Sequence, residues 1–110
     1  MTGRQAPRGL QNPGRKLWDS ITDEFQMNDA DLVLLEEACR VRDLVVTLSK
    51  QIETDGVMAQ SSQGVRVHPA VSEVRQQRLV LARLLATLEI PAPEDDNLPP
   101  STGVRPLGAA

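Results

Sequence analysis

Aromatic residues are almost missing from this chain: one Trp, one Phe and no Tyr among 110 residues. Without large rings a core must be built from aliphatic side chains, and a small domain of that kind commonly gains stability by associating with copies of itself. Cysteine is scarce as well. A lone Cys39 excludes an internal disulfide, and with a lone His68 far from it in sequence there is no zinc framework. No apolar run approaches the roughly 20 residues that span a bilayer, and no signal peptide opens the chain. The sequence therefore reads as cytosolic, with no membrane partner. Phosphate loops of the G-x-x-x-x-G-K-[ST] kind and dinucleotide fingerprints are also lacking. These absences argue against an enzyme and imply no cofactor and no metal.

Charge is present but unevenly placed. Residues 1–16 hold Arg4, Arg8, Arg15 and Lys16 and no acid, whereas residues 17–56 hold ten acids against Arg40, Arg42 and Lys50. Residues 65–90 are basic again, with four Arg against Glu73 and Glu89. A polyanion would meet the first or the third of these segments, not the second.

The periodicity predicts a mainly α fold with disordered termini. Residues 1–12 read as a basic flexible arm, residues 13–90 as one helical domain, and residues 91–110 as a Pro-rich disordered tail. A short first helix over 13–25 follows from Asn12 as cap, Pro13 at the first position, and Leu17, Ile21 and Phe25 at intervals of four. A long second helix is expected over 29–54, starting at Asn28 or Asp29 and stopping at Gly56. Its Leu34, Ala38, Val41, Val45, Leu48 and Ile52 form a heptad seam, with a second stripe of Leu32, Leu35 and Cys39. A small β-hairpin fits residues 57–68, turning at Ser61-Ser62-Gln63-Gly64. The third helix, 69–90, begins at Pro69 and ends before Pro91. The second and third helices should form a long antiparallel helical hairpin, with the first across their base.

The third helix is apolar nearly all round at its end. One face seals against the second helix, and the surplus around Val80, Leu81, Leu84, Leu85 and Leu88 is covered either by another subunit or by the first helix. Val45 and Leu48 join these five as the expected oligomer interface. The other polar candidates have plain structural readings. Glu36 and Glu37 suit pairing with Arg40 on a solvated face, Cys39 is a core side chain, His68 caps or packs at a helix start, and Glu94, Asp95 and Asp96 solubilise the tail. Nucleic acid is the better partner. The acidic, apolar start of the second helix cannot be a recognition helix, since it offers no Arg, Asn or Gln to base edges. The arm is suited to phosphate neutralisation, and Arg4, Arg8, Arg15 and Lys16 repeated around an oligomer would act together. Arg75 and Arg78, with Arg83, either join that DNA surface or pair with Glu36, Glu37 or Asp43 of the second helix or of a neighbour.

In order along the chain, "LWDSI", "DADLVLLEEACRVRD" and "VRVHPAVSEVRQQRLVLARLL", followed by a proline-rich tail, resemble the small terminase subunit of tailed double-stranded DNA phages. The likeness runs from about Leu17 to Pro91. It implies a non-enzymatic, ring-forming protein that binds viral double-stranded DNA in the host bacterial cytoplasm. Such a protein hands the genome to a large terminase subunit that carries the ATPase and nuclease. The alternatives are an oligomeric helical adaptor that never binds DNA, and a small DNA-binding transcriptional regulator, which would be a dimer on a palindromic site.

Overall fold

The computed structural model describes residues 5–61 and 64–90. Its elements are α1 (Asn12–Glu24), α2 (Asp29–Asp55), β1 (Met58–Ser61), β2 (Gly64–Val67) and α3 (Pro69–Thr87). The protein is mainly helical, as the periodicity predicts. α2 is the shared partner, with both α1 and α3 packed along it. Leu35, Ala38 and Cys39 of α2 are wholly buried, and Trp18, Ile21, Leu81, Leu85 and Ile90 close over them. The second stripe of α2 thus supplies the centre of the core alongside Ala38 of the seam. A helix flanked on two sides has to bury a wider arc than a two-helix seam.

The start of α1 differs from expectation. Asn12 is the first helical residue and not the cap; Gln11 holds the cap position and offers no side-chain bond. The cap comes from α2 instead. Asp43, itself buried, accepts the Gln11 N–H at Oδ2 and the Gly14 N–H at Oδ1, both at 2.7 Å. A carboxylate here satisfies two of the donors that a helix start leaves open and suits the positive end of its dipole. The stretch before α1 also differs from the expected free arm. Leu10 is buried in the core, Ala6 packs against it, and the Arg8 carbonyl accepts from Arg40 Nη2.

α2 begins in a capping box. Asn28 Oδ1 accepts the Asp31 N–H at 2.8 Å, and Asp31 Oδ2 accepts the Asn28 N–H at 3.2 Å. Met27 and Leu32, on either side of this cap, both pack onto the core. The helix stops at Gly56, whose φ of 88° is open to glycine and whose N–H reaches the Ile52 carbonyl. β1 and β2 pair antiparallel with Met58 opposite Val67 and Ser61 opposite Gly64. Ser62 and Gln63 of the expected turn lie outside the described residues. His68 then caps α3. Its Nδ1 accepts the Ala70 N–H at 3.0 Å, and its Nε2 lies 2.9 Å from Asp55 Oδ2 at the end of α2. One tautomer serves both contacts: Nδ1 bare, Nε2–H donating. This contact joins the end of α2 to the start of α3, while Ile90 beyond α3 reaches the cluster around Leu35, so the two helices run antiparallel.

α3 ends three residues before the expected Ile90. Glu89 takes φ 62°, its N–H bonds the Ala86 carbonyl, and the Ile90 N–H bonds the Leu85 carbonyl. This is a Schellman ending, completed by Ile90 and Leu85 sharing the core. Pro91 disfavours a helical Ile90, and the turn instead folds Ile90 inward.

The surplus face expected on the third helix is largely filled within the protomer. Leu81, Leu85 and Val45 are at most 2 % exposed, and Leu84 and Leu88 pack on the same core. Those three buried side chains leave no apolar area for a second copy. Leu48 is half-buried, and Val80 remains exposed.

Candidate nucleic-acid interface

The cationic end of the protein is built on the start of α1. Asp43 fixes that end by holding two of its backbone N–H groups. The approach is so close that a Cβ on Gly14 would stand 2.6 Å from the Cys39 carbonyl oxygen and 2.7 Å from Asp43 Oδ2. Only glycine lets the helix sit here. One turn of α1 then projects Arg15 and Lys16, both exposed. Arg15 Nη2 donates to the Leu10 carbonyl at 3.0 Å and ties the helix to the segment before it. Arg8 lies on that segment, exposed, with its backbone held by Arg40.

A groove of about 650 Å³ opens beside these residues. Leu17, Val46 and Leu81, one from each helix, supply its apolar lining, and Arg15, Lys16 and Arg42 supply positive charge, with Asp19 and Ser20 also present. The fold therefore brings two of the expected DNA-contacting residues, Arg15 and Lys16, to one concave surface. It adds Arg42, which sequence reasoning counts only as a counter-charge in an acidic segment. No local pattern in the sequence marks it, because only the fold sets Arg42 beside α1. Arg75 and Arg78 are exposed on α3 and are not among the groove's lining residues. Arg4 lies outside the described residues.

Cys39, Glu36 and Arg40 have structural roles. Burial pushes the Cys39 thiol up from its ordinary 9.0 to about 12, and the carboxylates of Asp43 and Glu36 add to the effect. Such a thiol is a packing group and a poor nucleophile. Glu36 pairs with Arg40 one turn on. Among the described residues no group of His, Cys, Asp and Glu is placed to hold a metal ion, and no helix is long and apolar enough to cross a membrane.

The model of the family described as phage terminase, small subunit, matches residues 14–90. No curated protein and no solved structure matches the chain. The matched span opens at Gly14, where α1 meets Asp43, and closes at Ile90, where α3 turns back into the core. It thus takes in α2, α3, the hairpin and nearly all of α1, and covers most of the chain. The chain belongs to the phage terminase small-subunit family, and its role lies in phage DNA packaging.

Proposed function

We propose that this protein is the non-catalytic DNA-binding member of a packaging machine. Copies assemble, hold viral duplex DNA through their basic arms and α1, and pass it to the large terminase subunit. The observation that carries the reading is the acid-free run of residues 1–16, which ends in a helix start held by Asp43, where Arg15 and Lys16 border a groove with Arg42. Arg8 sits just ahead of them on a docked segment. A fixed set of cations loses less freedom on binding than a mobile one, and each phosphate neutralised releases counterions. Four cations per chain bind weakly, and their repetition around an assembly raises the effective concentration of each.

The test is duplex DNA binding as a function of salt. Replacing Arg4, Arg8, Arg15 and Lys16 with Ala should weaken binding and flatten the dependence of log K on log salt, by about 0.9 for each phosphate no longer neutralised. Unchanged affinity and slope would move the DNA site elsewhere on the protein. A second reading, a helical adaptor that binds only protein, is favoured by the half-buried apolar lining of the groove at Leu17 and Val46. Salt-sensitive binding to duplex DNA separates the two.

A further inference from the structure

The protomer leaves two helix faces with apolar side chains in solvent. On α2, Val33 is 63 % exposed and Leu44 is 40 % exposed, with exposed Glu37 between them. At about 100° per residue all three point away from the buried Leu35, Ala38 and Cys39. On α3, Leu79 is 56 % exposed, with exposed Arg75 and Arg83 four residues to either side. The charges around the two faces are opposite. Residues 29–37 of α2 carry four acids and no base, and Arg40, exposed on the same face between Glu37 and Leu44, has its charge taken up by Glu36; α3 carries three Arg and a single acid, Glu73.

We propose that the Leu79 face of α3 in one copy docks on the Val33–Leu44 face of α2 in the next. Electrostatics selects this pairing over self-pairing. A symmetric contact between two α3 faces sets Arg75 and Arg83 against their own copies, and one between two α2 faces sets acid against acid; the crossed contact sets Arg against Glu37. Two different patches that meet in this way repeat head to tail and close into a ring when the rotation between copies permits. The inference rests on the oligomeric reading above and assigns its contact. It also moves that contact from the Leu81–Leu88 side of α3, which the core occupies, to the opposite side, and gives Arg75 to the neighbouring copy and not to DNA.

Native mass spectrometry with Leu79→Gln and Leu44→Gln tests it, with helicity checked by circular dichroism. Each substitution spoils one face and spares the other, so each variant alone should fall to the 12.0 kDa of one chain. Mixed, they should join once, through the intact α3 face of one and the intact α2 face of the other, and give a pair and nothing larger. Charge exchange at exposed positions carries the test even if an apolar substitution impairs folding: Glu37→Arg or Arg83→Glu should each reduce assembly, and the two together should restore it. A wild-type assembly whose mass survives every one of these changes overturns the assigned contact and leaves the oligomeric reading standing. Large species from the mixed variants overturn the head-to-tail arrangement. A wild-type protein that stays at one chain's mass overturns both the contact and the reading it rests on.

Discussion

Gly14 and Asp43 lie 29 residues apart in sequence and 2.7 Å apart in space, the Gly14 N–H donating to Asp43 Oδ1. This contact sets the angle and depth at which α1 meets α2, and with them the placement of Arg15 and Lys16. Gly14→Ala raises helix propensity by about 1 kcal/mol in an open helix. Here the added carbon meets Asp43 and the Cys39 carbonyl. The expected outcome is the reverse of propensity: a loss of roughly 2 kcal/mol in urea unfolding, in the range of overpacked sites. A stabilised Gly14→Ala protein would show that α1 does not sit so close.

Asp43→Ala should cost more. It strips two buried or half-buried N–H groups of a charged acceptor, for a loss of roughly 2–4 kcal/mol. Because only the start of α1 is released, hydrogen exchange should rise first at residues 11–15 and leave α3 protected. Uniform loss of protection would contradict a local clamp.

Much of the fold is legible in the chain itself. Asn28, Gly56 and Pro69 mark helix boundaries by local chemistry, and each works as its type suggests. The cap of α1 is not legible, because its acceptor comes from another helix and no local pattern links Gln11 to Asp43. Arg42 escapes sequence reading for the same reason: only the fold turns it toward α1. The leucines of α3 read as a surplus because periodicity counts apolar positions and says nothing of how many neighbours cover them. The structure buries Leu81 and Leu85 and leaves Leu79 out.

Cys39 offers a readout of core integrity. With its thiol raised to about 12, it should resist alkylation at pH 8 in the folded protein and react at the rate of a free thiol once unfolded. The same shift makes a prediction for alkaline stability. Folding disfavours the thiolate, so this contribution is complete below the ordinary value of 9.0 and is lost as pH climbs from there to about 12. Cys39→Ser should remove that part of the alkaline dependence, and rapid labelling of native protein at pH 8 would contradict the burial.

Glu89 occupies a backbone conformation that suits glycine, with φ 62°. Its strain of about 1–2 kcal/mol exceeds the roughly 0.5–1 kcal/mol of added unfolded-state freedom that glycine brings. Glu89→Gly should therefore stabilise the protein by about 0.5–1 kcal/mol in thermal unfolding. A fall in Tm would mean that the Glu89 side chain makes a compensating contact.

The claim on which the functional reading depends is that assembly, not the single protomer, grips DNA. Sedimentation velocity of a labelled duplex across a range of protein concentrations addresses it directly. The labelled DNA should move only with species heavier than one 12.0 kDa chain, and its bound fraction should rise in step with assembly. Duplex that sediments with single chains, at the affinity of the assembled protein, would contradict it.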